Sequence, residues 1–177
     1  MQRIVIIGTS GSGKTTLARQ LGARLGVPFV ELDSLHWEPN WTAAPLAVLR
    51  ERVVLAISGD AWVVDGNYSV VRDLTWGLAD TVVWLDYSLW VVMQRIVRRT
   101  LVRMITREEL YSGNRESFKN TFLSKDSIIL WSLQTHQKNR RKYTELMSQP
   151  EYAHITMVRL RSPQATCAWL ADLTPQY

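Results

Sequence analysis

The residues best equipped for chemistry stand near the N-terminus. Gly8-Thr9-Ser10-Gly11-Ser12-Gly13-Lys14-Thr15 satisfies G-x-x-x-x-G-K-[ST] at every fixed position. The apolar run Ile4 to Ile7 precedes it, and Leu17, Leu21 and Leu25 follow at helical spacing. Small residues let such a loop wrap a phosphate, with backbone N–H groups and the positive end of a helix aimed at the anion. Lys14 can then reach the β- and γ-phosphates, and Thr15 can offer its hydroxyl to Mg²⁺. Gly8 through Thr16 is therefore the expected ATP-binding loop, with Lys14 also catalytic. A chance glycine turn would not also supply Lys-Thr at a helix start. The loop alone leaves the fate of the γ-phosphate open, because motors, switches and kinases share it.

Two carboxylates and a row of arginines extend the set. Asp33 follows the short apolar segment Pro28 to Leu32, and Asp65 ends Trp62-Val63-Val64-Asp65. In a parallel sheet both stand beside the loop. Asp33 can hydrogen-bond an acceptor hydroxyl, although Asp-Ser is also a common helix start. Asp65 is expected to face Mg²⁺ through water. Arg95, Arg99 and Arg103 are four residues apart and share one helical face, with Arg98 beside it. Planar, permanently charged guanidinium groups suit a phosphoryl group whose charge spreads over three oxygens. A solvated helix face would show the same spacing.

The loop, Glu31-Leu32-Asp33-Ser34-Leu35-His36-Trp37, Trp62-Val63-Val64-Asp65-Gly66-Asn67-Tyr68, and Leu85-Asp86-Tyr87 followed by Arg95 and Arg98-Arg99 together resemble the adenylate-kinase-like proteins. Within them the chain is most similar to the topology modulation proteins, over essentially its whole length. The resemblance implies a phosphotransferase that moves the ATP γ-phosphate to an acceptor it does not name, a small molecule or a nucleotide. It implies that Asp33 binds or deprotonates that acceptor, that Arg95 grips phosphates, and that Arg98 or Arg99 is the lid arginine, spacing favouring Arg99. The lid itself is expected at about 99–123, without the Cys/His ligands of zinc-bearing lids.

The chain departs from adenylate kinases at Asn67-Tyr68-Ser69, where those proteins continue Phe-Pro-Arg after Asp-Gly. Arg72, a turn further on, is the candidate replacement, or else a surface charge. Arg140 and Arg141 either reach back to the phosphates or form a solvated face. Ser162-Pro163-Gln164 stands where related proteins cradle adenine. Trp37, Trp41 and Tyr68 are placed to offer aromatic planes to an acceptor, and His36 is either an acceptor contact or structural. Trp62, Trp84 and Trp169 read as packing.

The elements that must position these groups alternate. Strands are expected at Arg3 to Ile7, Pro28 to Leu32, Trp62 to Val64, Thr81 to Leu85 and Ile155 to Leu160. Helices are expected after the loop, at Pro45 to Ser58, Leu89 to Ile105, Lys125 to Met147 and Pro163 to Leu173. That order predicts an α/β, P-loop NTPase-type three-layer fold: a five-stranded parallel sheet, helices on both faces, a short helical lid, and ligands at the strand C-termini. With no repeat or linker, residues 1–177 read as a single domain.

Composition limits the alternatives. One cysteine, Cys167, rules out an internal disulfide framework and reads as a small buried hydrophobe. The apolar stretch Val82 to Met93 is broken by Asp86 and falls short of a membrane span, so a cytoplasmic protein without a membrane partner is expected. Basic residues exceed acidic ones by 21 − 16 = 5. The excess is concentrated in Arg95 to Lys119 and Lys138 to Lys142, which suits phosphate ligands. The basic excess and the topology modulation resemblance support one competing reading, a nucleic-acid-associated regulator that uses ATP binding as a switch. No helix-turn-helix or zinc finger supports it. The absence of Asn-Lys-x-Asp speaks against a guanine-reading switch.

Overall fold

The computed structural model describes residues 1–106, 109–114 and 128–173. Five strands, β1 (Arg3–Gly8), β2 (Phe29–Glu31), β5 (Trp62–Asp65), β6 (Thr81–Leu85) and β7 (Thr156–Leu160), form one sheet in the order β2-β5-β1-β6-β7. Every pairing in it is parallel. The expected fold class is the one found.

The strand sequences explain why the sheet is covered on both faces. Ile4, Val5, Ile6 and Ile7 are all fully buried, as a central parallel strand requires. Alternate side chains supply two separate cores. Val5, Ile7, Val64, Val82 and Trp84 pack with Leu49 and Val53 of α3 (Leu46–Ala56), Trp76 of α4 (Arg72–Leu78) and Tyr143 and Leu146 of α6 (Ile128–Met147). Ile4, Ile6, Val63, Val83 and Leu85 pack with Leu17 and Leu21 of α1 (Lys14–Leu25) and with Val92 and Ile96 of α5 (Leu89–Thr106). Trp169 and Leu170 of α7 (Pro163–Asp172) lean on that second core.

The chain leaves β1 toward β2 on one side and later returns to β6 on the other. The loop after β1 therefore lies at the point where strand order reverses, the usual crevice for ligands in such sheets.

Two features depart from expectation, and the expected lid overlaps a helix that was itself expected at Leu89 to Ile105. Between β2 and α3 the chain forms α2 (Leu32–His36) and a small antiparallel hairpin, β3 (Trp37–Glu38) and β4 (Thr42–Ala43), bridged by a 3-10 turn at Pro39–Trp41. These pieces, like α4, are too short for hydrophobic periodicity to reveal. The segment expected as a lid begins inside α5, whose helix runs unbroken through residues 99–106. Residues 109–114 then turn back over the hairpin, and residues 107–108 and 115–123 lie outside the described residues, as does Lys125. Finally, Cys167 is exposed rather than buried. The inward face of α7 is taken by Trp169 and Leu170, which leaves Cys167 facing out.

Candidate active site

The loop is shaped by what presses on it. Gly11 has φ 78°, and a Cβ there would stand 2.5 Å from Cγ1 of Ile96 and 3.0 Å from the carbonyl oxygen of Val92, so α5 roofs the loop directly. Gly13 has φ 94° and ends the loop as the left-handed residue before α1. Arg95 donates from Nη1 to the Ser12 carbonyl at 2.9 Å, with its guanidinium carbon 5.2 Å from the Tyr87 ring centroid. Lys14 donates from Nζ to the Thr9 carbonyl at 3.3 Å, folded over its own loop.

The geometry fits a phosphate. The N-terminus of α1 has neither a side-chain cap nor an acidic residue in its first turn, which leaves its first N–H groups for an anion. The fully buried Ser12 places its Oγ there without a hydrogen-bond partner among the described residues. Thr9, Ser10 and Thr16 complete the expected loop, Thr9 buried and Thr16 exposed.

Strand register brings the acids together. Glu31 pairs with Asp65 across β2 and β5, and Asp65 pairs with Ile6 of β1, two residues before the loop opens. Thr15 donates its hydroxyl to Oδ2 of Asp65 at 2.5 Å and lies 3.4 Å from Oε1 of Glu31. Asp65 is only 5% exposed, and its Oδ1 has no hydrogen-bond partner among the described residues. Burial pushes its carboxyl up, the charges of Glu31 and Asp33 add to this, and Lys14 and Thr15 oppose it.

A buried carboxylate short of donors beside a threonine hydroxyl fits Mg²⁺, which takes hard oxygen ligands and keeps several waters. Among the described residues no group of three or more His, Cys, Asp or Glu could cage a metal.

Asp33 stands on the other side of the loop from α5, within α2. It does not cap that helix, whose N-cap position is Glu31. Its Oδ1 instead accepts from the Tyr68 hydroxyl at 2.5 Å. Burial, and then the charge of Asp33, push the Tyr68 phenol up, so it remains a donor at neutral pH. His36 lies against Tyr68 and Trp37, at 4.7 and 4.6 Å between ring centroids.

The arginines divide by side of helix. Arg95 reaches the loop, and Arg99, one turn further on, is half-buried on α5. Arg98 is exposed and lines a surface groove with Trp90, Val97 and Leu101. Arg72 donates to the Asn67 side chain at 3.4 Å and lies 5.8 Å from the Trp76 ring. Arg140 is drawn to Asp86, 2.7 Å from Nε to Oδ1, rather than toward the loop. Ser162 caps α7, its Oγ accepting from the Ala165 N–H at 3.1 Å.

Four participants carried no role in the sequence reading. Glu31 accepts from the Tyr111 hydroxyl and pairs with Arg19 at 3.6 Å. Asn114 and Asp86 are buried polar groups held by distant partners. Only Glu31 had a sequence signal, its place at a strand end one residue pair before Asp33. Tyr111, Asn114 and Asp86 depend on contacts between residues more than fifty positions apart.

The sheet order and the loop define the class, an α/β fold of the P-loop kinase type. Comparisons with known proteins agree. The ATPase family associated with various cellular activities (AAA) matches residues 4–61. A shikimate kinase of Rhodopseudomonas palustris is 27% identical over 116 residues, covering 54% of this chain and 55% of that protein. A shikimate kinase of Bradyrhizobium diazoefficiens is 26% identical over 167 residues, covering 75% and 78%. The chain spans 55%, 63% and 66% of the length of three shikimate kinases it matches. The crystal structure of shikimate kinase from Bacteroides thetaiotaomicron superposes with a TM-score of 0.52 at 15% identity, over 96% of this chain and 94% of that one, and so shares the fold. No helix among the described residues is long and apolar enough to cross a membrane.

Proposed function

We propose that this chain is an ATP-dependent kinase that transfers the γ-phosphoryl group of ATP to a hydroxyl of a small molecule. The observation that carries the reading is Asp33, a carboxylate held by Tyr68 on the acceptor side of a phosphate loop whose other side is roofed by Arg95. Loop N–H groups and Lys14 hold the β- and γ-phosphates, and Arg95 and Arg99 meet the charge that develops on the transferring group. Bound Mg²⁺ would neutralise phosphate charge and fix its orientation, with Thr15 and Asp65 as its protein partners. Asp33 orients the acceptor hydroxyl and takes its proton as the acceptor oxygen bonds to the γ-phosphorus and the bond to the β-phosphate oxygen breaks, releasing ADP. Similarity to shikimate kinases supports a small-molecule acceptor over a macromolecular one.

The topology modulation resemblance supports the same chemistry without naming the acceptor. The competing nucleic-acid reading loses strength because Arg50, Arg52, Arg140 and Arg159 each pair with an acid. Binding to nucleic acid would weaken steeply with ionic strength. The test is ADP release stimulated by members of an acceptor panel at two salt concentrations. The kinase reading expects one acceptor class to stimulate release with little salt dependence. Stimulation by DNA alone, lost at high salt, would overturn it.

A further inference from the structure

The turn at residues 109–114 is fastened to the hairpin and reaches from there to the opposite end of the site. Leu110 donates its N–H to the Asn114 carbonyl at 2.7 Å, which closes the turn, and Ser112 within it has a left-handed φ of 55°. Asn114, itself buried, accepts from the Trp41 N–H at 3.0 Å and donates to the Glu38 carbonyl at 2.9 Å, and Ser112 donates to the Trp37 carbonyl at 2.7 Å. The hairpin therefore sets where the turn stands.

Tyr111 leaves this anchorage for the acids. Its hydroxyl donates to Oε1 of Glu31, and that same oxygen lies 3.4 Å from Oγ1 of Thr15. Arg19 takes the other Glu31 oxygen, at 3.6 Å. Burial, then the hydrogen bond to Glu31 and its charge, then the charges of Asp33 and Asp65 push the Tyr111 phenol up, so it stays a proton donor at neutral pH. One side chain thus joins the hairpin to the oxygen atoms at the start of α1.

Counting protons gives this contact a consequence. A threonine hydroxyl has one proton to donate and two lone pairs. Two carboxylates compete for the Thr15 proton, Asp65 at 2.5 Å and Glu31 at 3.4 Å. Because Oε1 of Glu31 already accepts from Tyr111, the Thr15 proton goes to Asp65, and a Thr15 lone pair is left for a cation. Without the phenol, Glu31, whose side chain is only 12% exposed, is free to turn onto Thr15 and draw that proton away.

We propose that Tyr111 is a positioning residue for the metal site: by donating to Glu31 it commits the Thr15 hydroxyl to Asp65 and so keeps a Thr15 lone pair for Mg²⁺. This rests on the Mg²⁺ part of the kinase reading and adds to it a residue that acts through Glu31 and Thr15.

Binding of fluorescent N-methylanthraniloyl-ADP to the full chain is measured in EDTA and across a Mg²⁺ titration, which needs no acceptor. Wild type should bind the nucleotide more tightly as Mg²⁺ rises. Tyr111→Phe should need about tenfold more Mg²⁺ for the same gain, the low end of the range for partners that orient metal ligands. Its affinity in EDTA and its melting temperature without nucleotide should stay close to wild type, because the ring is kept. In a Glu31→Gln background no second carboxylate competes for the proton, so the same change should shift the Mg²⁺ requirement by less than about twofold. An unchanged Mg²⁺ requirement in Tyr111→Phe, with or without a lower melting temperature, overturns the inference and leaves the kinase reading standing. An undiminished tenfold effect on top of Glu31→Gln does the same. If wild-type affinity for the nucleotide does not respond to Mg²⁺, the Mg²⁺ part of the kinase reading falls and takes this inference with it.

Discussion

Asp65 at the end of β5 and Asp86 just past β6 flank the central strand at the same edge of the sheet, 5% and 4% exposed. Their surroundings are opposite. Arg159 donates from Nε and Nη2 to Oδ2 of Asp86 at 2.9 and 2.7 Å, and Arg140 adds Nη2 on Oδ2 at 3.0 Å and an ion pair from Nε to Oδ1. The Arg159 guanidinium also lies over the Trp84 ring at 4.2 Å. Asp65 receives one hydroxyl and has two further carboxylates for neighbours. Folding supplies Asp86 with its counter-charges, so Asp86 fastens α6 and β7 to the sheet. Among the described residues Asp65 receives no guanidinium, and the charge of Lys14 opposes its burial only in part. Burial alone does not separate a structural acid from a functional one. The donors each acid lacks do.

The contrast can be broken most forcefully at the loop. Lys14→Ala should cut Mg·ATP-dependent turnover on the order of 10²–10³-fold or more, since it removes a charge aimed at the phosphates. Its melting temperature should stay close to wild type, because the hydrogen bond Lys14 makes is a long one to the Thr9 carbonyl of its own loop. A large loss of stability with turnover retained would reverse the assignment.

Asp86→Ala should act the other way, on stability. Removing one partner of a buried ion pair costs about 3–5 kcal/mol. The low end applies here because Arg140 and Arg159 are 44% and 30% exposed and can turn to water. Urea unfolding measures it.

Asp65→Asn sharpens the comparison through its sign. Burial raises the Asp65 pKa in the folded state, so its contribution to stability is fully present below the unfolded value and is lost as pH rises through the folded one. Asn mimics the protonated form. The variant should therefore be more stable than wild type at pH 7, with the gain vanishing in the acid range, and it should lose Mg²⁺-dependent turnover. Destabilisation at pH 7 would place Asp65 with Asp86.

The smallest expected effect is at Arg99. Arg99→Ala should lower kcat more than it raises KM for ATP, as for a group that engages the phosphoryl most strongly in the transition state. A pure KM effect would make it a ground-state contact.

The half of the site that repeats a local pattern was legible in the sequence. The loop, β1, α1, Asp33 just past β2 and Asp65 at the end of β5 follow from short-range spacing and apolar runs. The arginine row was legible as a face, and its nearness to the loop followed once α5 packed Ile96 against Gly11. The aromatic residues Trp37, Trp41 and Tyr68 were singled out in the sequence, but the hairpin that carries Trp37 was not legible. Trp37–Ala43 has no periodicity, and its shape comes from Asn114 more than seventy residues away. Asp86 read only as a break in an apolar stretch, because its partners arrive from α6 and β7. Long-range polar contacts leave no trace in local pattern.

The most direct test of the central claim is Asp33→Asn, assayed for Mg·ATP affinity and for ADP release stimulated by a confirmed acceptor. A carboxylate that serves the acceptor does nothing for ATP alone, so affinity should stay at the wild-type value. Acceptor-dependent release should fall by about 10²–10⁴-fold, the range for a positioned general base. Wild-type turnover of that acceptor by Asp33→Asn would contradict the account and leave Asp65 as the next carboxylate to test.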